Sequence, residues 1–304
     1  MKKYVKKFFI ASISILLAFL LLWTGVVYSY YPHYVKNKEE MDISNNVNKD
    51  EIKIMSYNIR CHAPDDLGQK NWFYRANLVA DTIEDAQPGI IGFQEVNSWQ
   101  YDYLCETMPL YDSIITYRDN MPVYSEGCPV FYRTDLYSLV DKGSFWLSET
   151  PEVMSKDWGA ACYRICSYAI LKDNLTEKEF VVFNTHLDHV SDEARIKGIQ
   201  VVLDKIKDFG SIPAILMGDL NAEEDSETYK NATVNFDDVK YKTDNTMTSC
   251  TYHNWGEALD RNCIDYIMIS KGDFNVKSYE VITDTYDGIY TSDHFPLTAT
   301  LTLE

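Results

Sequence analysis

The sequence lacks features that mark several classes of protein. Its seven cysteines show no paired C-x-x-C spacing, which argues against a structural zinc site. Seven is an odd number, so at least one thiol stays free, and the sequence assigns no disulfide pairs. Outside the N-terminus there is no run of Lys and Arg that would form a track for nucleic acid. No segment repeats along the chain, which excludes solenoids and propellers.

Basic residues are scarce in most of the chain. Residues 51–304 carry 21 Lys and Arg against 42 Asp and Glu, whereas residues 1–50 have a net charge of +3. A domain this acidic repels polyphosphate at long range. The balance disfavours a nuclease that moves along a basic track, although high net charge also simply keeps proteins soluble.

Residues 1–31 are predicted to form a signal-anchor that crosses the cell membrane once. The uncharged stretch from Phe8 to Tyr28 is long enough to span a hydrocarbon core as a helix. Four lysines precede it and fewer follow, which predicts a cytoplasmic N-terminus and an extracytoplasmic C-terminal domain. A cleaved signal peptide is the alternative, but bulky residues stand where a small-x-small cleavage site would be. Residues 32–50, rich in Asn, Lys, Asp and Glu, are predicted to be a tether.

The rest of the chain contains no Pro/Gly-rich linker and is predicted to be one α/β or α+β sandwich domain. Short apolar, β-branched runs predict seven strands: Ile52–Tyr57, Ile90–Phe93, Pro129–Tyr132, Phe180–Asn184, Ala214–Met217, Ile264–Ile269 and Leu297–Leu303. Apolar residues at helical spacing predict a helix that includes Leu78 and Ile83 and ends before Pro88. A second helix is predicted between Ser191, as its N-cap, and Gly210.

Polar residues cluster at the ends of these apolar runs: Asn58, Glu95, His186, Asp188, Asp219, Asn221, Asp265, Asp293 and His294. Each alone is commonly a turn residue or a structural histidine, but six such strand ends together favour a shared site. Carboxylates and amides without a cysteine ligand pattern suit Mg²⁺ or Mn²⁺, which substrate phosphate oxygens complete. Two histidines near acids suit proton transfer. The chemistry indicated is metal-assisted phosphoester hydrolysis.

Six motifs resemble, in their order, those of the endonuclease/exonuclease/phosphatase superfamily, which includes DNase I. They are Ser-Tyr-Asn-Ile-Arg (56–60), Gly-Phe-Gln-Glu (92–95), Asn-Thr-His-Leu-Asp (184–188), Gly-Asp-Leu-Asn (218–221), Ile-Asp-Tyr-Ile (264–267) and Ser-Asp-His-Phe-Pro (292–296). The resemblance covers residues 51–304 and implies a catalytic domain with a four-layer αββα sandwich of two packed mixed β-sheets flanked by helices. Phe-Trp-Leu-Ser-Glu-Thr-Pro (145–151) is similar to an uncharacterised bacterial branch, here with a membrane anchor.

The same resemblance implies how the metal and the attacking water are held. Glu95 matches the principal metal ligand, and Asn58 beside it contacts a metal-bound water or the phosphate. Asp293 is a second acid on the metal side. Asp219 matches the residue that positions or deprotonates the attacking water, and Asn221 matches a donor to a phosphate oxygen.

Two histidines are implied on the phosphate side. His294 matches the histidine next to the scissile phosphate, oriented by Asp265. His186 matches the other histidine of the DNase I-like branch, and Glu126 occupies the position of its acidic partner.

The expected function is a monomeric, membrane-tethered phosphoester hydrolase that faces outward and depends on Mg²⁺ or Mn²⁺. A small, lipid-linked or glycan-linked phosphoester is the favoured substrate, and nucleic acid is disfavoured by the net charge. The alternatives are a surface endonuclease or exonuclease and a non-catalytic binding module on the same fold. Arg60, Arg75 and Arg164 either clamp a phosphate or pair with the abundant acids. The sequence leaves open the metal count and the general base.

Overall fold

The computed structural model describes residues 2–36, 39–44, 47–243, 250–259 and 263–304. Helix α1 (Lys2–Lys36) includes the apolar stretch Tyr4–Gly25, which has a mean hydropathy of 2.3 and is not buried against the protein. Its length and composition suit a membrane span, as they would also suit a signal sequence. The helix continues beyond residue 31, so the first part of the predicted tether is helical.

The described residues contain twelve strands: β1 (Ile52–Asn58), β2 (Ile90–Gln94), β3 (Tyr111–Ile114), β4 (Val130–Arg133), β5 (Tyr137–Trp146), β6 (Ile165–Asp173), β7 (Glu179–His186), β8 (Ala214–Asp219), β9 (Phe236–Asp238), β10 (Asp265–Ser270), β11 (Phe274–Val281) and β12 (Leu297–Leu303). Helices α2 (Trp72–Ala86), α3 (Ser98–Thr107), α4 (Asp192–Lys207) and α5 (Glu227–Thr233) connect them. All seven predicted strands are present, with ends shifted by at most two residues.

The strands form two six-stranded mixed sheets, in the orders β11-β12-β1-β2-β4-β3 and β5-β6-β7-β8-β10-β9. Each sheet has a parallel pair at its centre, β1 with β2 and β7 with β8. A core that includes Ile54, Val182 and Met217 fills the space between the sheets. Apolar residues of α2 and α3 pack on the outer face of the first sheet, and those of α4 and α5 on the second. The predicted four-layer αββα sandwich is therefore confirmed.

Local sequence explains the ends of the two predicted helices. The Asn71 side chain accepts a hydrogen bond from the Phe73 backbone N–H at the start of α2, and Gln87 ends that helix in a left-handed conformation just before Pro88. Ser191 caps α4 as predicted, because its Oγ accepts from the Ala194 N–H. Both helices thus begin where a side chain satisfies an exposed backbone donor.

Strand pairing brings polar strand ends together. In the second sheet His186 is paired with Asp219 across β7 and β8, and Asp265 is paired with Asp219 across β10 and β8. Gly218 allows this close approach, because its φ is +139° and a Cβ there would lie 1.9 Å from the Thr185 carbonyl oxygen. The residue before Asp219 therefore has to be glycine for the strand end to keep this geometry.

Part of the predicted tether packs on the sandwich domain. Met41 and Ile43 are buried against α2 and α3 in the outer core of the first sheet. The Met41 N–H donates to the Thr107 carbonyl at 2.8 Å, and Arg133 donates to the Ser44 carbonyl at 3.0 Å. The role of residues 32–50 as a tether stays a prediction, and within this segment two apolar side chains, Met41 and Ile43, bind the chain to the core.

A fragment of residues 39–304 should therefore unfold at a higher temperature than a fragment of residues 51–304. Burial of Met41 and Ile43 contributes roughly 1.5–3 kcal/mol for each side chain, and each kcal/mol shifts the melting temperature of a domain this size by about 2–4 °C. Calorimetry measures the difference, and replacing both residues by Ala in the longer fragment should remove it. Equal melting temperatures of the two fragments would contradict the packing.

Candidate active site

Asn58 connects the two sheets at the site. It ends β1, and its Nδ2 donates to Glu95 Oε1 at 3.2 Å and to Asp219 Oδ2 at 3.1 Å. The same nitrogen lies 3.5 Å from His294 Nε2, and Asn58 Oδ1 accepts from the Arg60 N–H at 3.0 Å. Because β1 belongs to one sheet and Asp219 ends β8 of the other, this amide fixes the distance between their acidic groups.

Glu95 is held in an unusual backbone conformation at the end of β2, with a φ of +63°. Its Oε2 accepts from the Cys61 N–H at 3.0 Å and lies 4.0 Å from Arg60 Nη1. Burial raises the pKa of Glu95, but His186, Arg60 and the Cys61 N–H together hold it below its usual range. The carboxylate is therefore ionised at neutral pH, as a metal ligand must be.

Asp219, Asp265 and His294 form a compact buried group whose ligand atoms lie within 4.8 Å of one another. His294 Nδ1 bonds to Asp265 Oδ2 at 2.9 Å, and its Nε2 lies 3.8 Å from Asp219 Oδ2. Burial lowers the pKa of His294, but Asp265 and Asp219 raise it to about 10. Burial and the Asp265 charge raise the pKa of Asp219 to about 7. Near neutral pH the group thus holds a protonated imidazole beside a carboxylate that can exchange a proton.

His186 and Asn221 lie on the other side of Asp219. The Asn221 N–H donates to Asp219 Oδ1 at 2.8 Å, and Asn221 Nδ2 donates to His186 Nε2 at 2.9 Å. His186 Nε2 is also 3.4 Å from Asp219 Oδ2. Burial and the charge of Arg164 hold the pKa of His186 well below its usual value, so this imidazole is neutral. The two histidines therefore carry different charges at the same pH.

Glu126 is placed differently from the sequence-based expectation. Both its carboxylate oxygens accept from Arg118, at 2.6 and 2.7 Å, in a bidentate pair rather than a bond to His186. Glu126 and His186 nevertheless line the same small cavity. Burial and Glu95 raise the pKa of Glu126 to about 7 despite the charge of Arg118. A tertiary contact with Arg118 has replaced the expected acid–histidine pair.

Asp293, in the segment before β12, and Arg75, a buried arginine of α2, support the site. Burial and the Glu95 charge raise the pKa of Asp293, and the positive charge of His294 opposes them. Arg75 is fully buried, and its guanidinium donates to backbone carbonyls of the loops around the site: Ile59, Arg60, Lys70 and Thr291. Arg75 therefore fixes the loops after β1 and before β12 and does not face a substrate.

The three arginines whose role the sequence did not decide make different contacts in the structure. Arg60 pairs with Asp66, with Nε 3.1 Å from Oδ2, and comes near Glu95. Arg75 binds carbonyls, as above. Arg164 is almost fully buried next to His186 and Glu126, and its Nη2 lies 3.0 Å from His189 Nδ1. Of these three, Arg164 keeps two buried guanidinium nitrogens, Nε and Nη1, that lack hydrogen-bond partners within the described part of the chain.

The donor set fits a hard divalent cation. Burial and the charges of Asp265 and Glu95 raise the pKa of Asp219. Burial and the charge of Glu95 likewise raise the pKa of Asp293, so these carboxylates lie close together. Mg²⁺ and Mn²⁺ prefer such oxygen ligands, and a cation would relieve the repulsion among them. The compact group contains Asp219 and Asp265, whereas the sequence assigned the metal to Asn58, Glu95 and Asp293. The Asn58 amide donates to Glu95 of the predicted metal ligands and to Asp219 of the compact group. The two groups of residues therefore belong to one acidic site.

The seven cysteines contribute no crosslink. Among the described residues, which include all seven, the structure contains no disulfide bond. The site is thus held without covalent crosslinks, by strand pairing, hydrogen bonds and ion pairs.

Comparison with known proteins agrees with this geometry. Residues 55–294 match the Endonuclease/Exonuclease/phosphatase family. The chain belongs to this family. The structure of a family member from Bacteroides vulgatus superimposes with a TM-score of 0.78 at 36% identity, covering 84% of this chain and 99% of that one. The resemblance stated from the six motifs is therefore confirmed.

Two further solved structures are similar to this chain at lower sequence identity. The Bacteroides thetaiotaomicron mannosyl-6-phosphatase Bt3783 is 34% identical, with a TM-score of 0.77 over 83% of this chain and 99% of that one. The catalytic domain of human Nocturnin, with a bound sulfate anion, is 22% identical, with a TM-score of 0.68 over 84% of this chain and 95% of that one, and shares the fold. Of five curated relatives, the chain spans 90% of the length of one and 30% to 64% of the other four.

The charge on His294 can be tested by pH. In metal-free protein, NMR titration should show its imidazole protonated at neutral pH, with a midpoint near 10, and Asp265→Asn should lower that midpoint. Because the folded pKa lies above the ordinary value of 6.5, this pair stabilises the fold in full below about pH 6.5 and loses its effect as the pH rises through about 10. A wild-type midpoint near 6.5 would contradict the assignment, and Asp204→Asn, on the exposed face of α4, serves as the control.

Proposed function

We propose that this family member hydrolyses phosphoesters with the help of Mg²⁺ or Mn²⁺. The observation that carries the proposal is the meeting of Asn58, Glu95, Asp219, Asp265 and His294 at one end of the two sheets. In-line displacement at phosphorus needs an activated water, neutralised phosphoryl oxygens and a stabilised leaving group. The acids and the charged imidazole supply groups for each of these needs.

The protonation states of the site residues suit them to different roles. Asp219, with its pKa raised to about 7 by burial and Asp265, is suited to take a proton from the attacking water near neutral pH. His294 is suited to place positive charge against a phosphoryl oxygen or the leaving oxygen, with Asp265 holding its ring. Asn221 positions the neutral His186 beside Asp219. Glu95, Asn58 and Asp293 would hold the cation, which neutralises phosphoryl oxygens and acidifies a bound water.

Two observations favour a small or glycan-linked phosphoester as the substrate. The net charge of −21 on residues 51–304 opposes binding of a long polyanion. A protein that is 34% identical over nearly its whole length is a mannosyl-6-phosphatase. A sugar phosphate is therefore the first candidate, and lipid-linked phosphoesters follow because of the apolar helix α1.

The location of the reaction is also part of the proposal. Helix α1 anchors the chain in the cell membrane as a single span, with the lysines before it in the cytoplasm and the catalytic domain outside. We also propose that the enzyme acts as a monomer.

A substrate screen tests the proposed reaction. The full-length protein in detergent, with Mg²⁺ or Mn²⁺, should release phosphate from mannose 6-phosphate or another sugar phosphate, and EDTA should abolish the release because the acidic site needs a cation. Parallel assays contain single-stranded and duplex nucleic acid at low salt. Degradation of nucleic acid without turnover of small phosphoesters would favour a surface nuclease, and metal binding without any turnover would favour a binding module.

Asp219→Asn should lower turnover of the best substrate by at least about 10²-fold, because it removes the group that exchanges the proton. Asp204→Asn makes the same chemical change on exposed α4 and should leave turnover unchanged. Initial rates are compared after circular dichroism shows that both variants are folded. Near-normal rates in folded Asp219→Asn would rule out its role.

A further inference from the structure

A small cavity lies behind His186 and is not used by the chemistry described so far. Its volume is about 10 Å³, and its lining includes Arg118, Glu126, Arg164 and Ile165 together with His186. A volume of this size holds one water-sized group and nothing larger. The cavity shares His186 and Glu95 with the catalytic centre, so it opens beside the position of the reacting phosphate.

The cavity is bordered by guanidinium groups whose donors are not satisfied. Arg164 Nε and Nη1 and Arg118 Nε are buried and have no hydrogen-bond partner among the residues that the structure describes. The nearest carboxylate oxygens are 3.9 Å from Arg164 Nε, on Asp188, and 3.8 Å from Arg118 Nε, on Asp119, which is beyond hydrogen-bond range. Buried charged donors without acceptors are costly unless a ligand supplies the acceptor.

The acids near the cavity are already engaged. Both carboxylate oxygens of Glu126 accept from Arg118, so Glu126 is already engaged by that arginine. Asp188 accepts four backbone N–H groups, from Ala161, Cys162, Val190 and Ser191. The Glu95 carboxylate accepts from Asn58 and the Cys61 N–H on the metal side. Arg164, 6% exposed, is left as the cation available to an anion in the cavity.

We propose that Arg164, with Arg118 beside it, binds one terminal phosphoryl oxygen and makes the site selective for phosphomonoesters over phosphodiesters. This inference rests on the proposed phosphoester hydrolysis. During in-line attack, three oxygens of the phosphate lie around phosphorus in the equatorial plane. In a monoester all three are terminal, so the cation, His294 and Arg164 would each have one oxygen to bind. A diester has only two terminal oxygens, so it would either leave one of these partners without an oxygen or place its second substituent at the cavity, which has no room for it.

The test compares a matched pair of substrates, p-nitrophenyl phosphate and bis(p-nitrophenyl) phosphate, with full-length protein in detergent and Mg²⁺. Arg164→Met should lower kcat/KM for the monoester by about 10–100-fold, chiefly through KM, and affect the diester much less. Isothermal titration with inorganic phosphate should show binding weakened by about tenfold or more. Arg164→Lys keeps the charge but loses the planar fork, so it should restore part of the phosphate affinity.

Arg133→Met is the control for loss of a buried guanidinium. Arg133 is fully buried and pairs with Asp135 at the other end of β4, so its loss should lower the melting temperature but preserve substrate preference and phosphate binding. Equal losses on both substrates with unchanged phosphate binding in Arg164→Met would overturn the inference. If wild type hydrolyses neither substrate, the proposed function fails, and the phosphate titration alone then decides whether Arg164 binds the anion.

Discussion

The crowding of buried carboxylates is the constraint on which the rest of the site depends. Strand pairing places Asp219 beside Asp265, and the Asn58 amide holds Glu95 close to Asp219. Buried acids so close together cannot all stay ionised unless positive charge compensates them. The imidazolium of His294 supplies part of that charge, and a divalent cation would supply more. A divalent cation can supply this positive charge and, once bound, can hold a phosphate.

Buried positive groups explain how an acidic domain can bind an anion. Long-range repulsion from a net charge of −21 acts against any polyanion, yet the few positive groups at the site are buried, where they are screened least. A small phosphoester can contact these positive groups. Unlike a polyanion, it does not place further negative charges next to the acidic surface. These charges support the proposal of a compact substrate, as does the similarity to a sugar phosphatase.

The sequence predicts the parts of the structure that are locally determined. Strands at the centres of the sheets are continuous apolar runs, so their ends mark the site, and Ser191 marks its helix by capping chemistry. The edge strands β5 and β11 escape prediction because their exposed faces mix charged and apolar residues. Side-chain contacts outside the regular strands and helices are also missed, including the pair between Glu126 and Arg118 eight residues before it. The bidentate pair of Glu126 with Arg118 and the burial of Met41 both depend on tertiary packing that no local pattern carries.

The central claim is that acids from both sheets meet to hold a divalent ion at the reacting phosphate. Anomalous diffraction at the manganese edge, from crystals of the protein grown with Mn²⁺ and inorganic phosphate, tests it most directly. The account predicts a manganese peak among the carboxylates of Glu95, Asp219, Asp265 and Asp293, with phosphate in contact with it. Crystals that diffract well and show manganese only at other places, or none, would contradict the account.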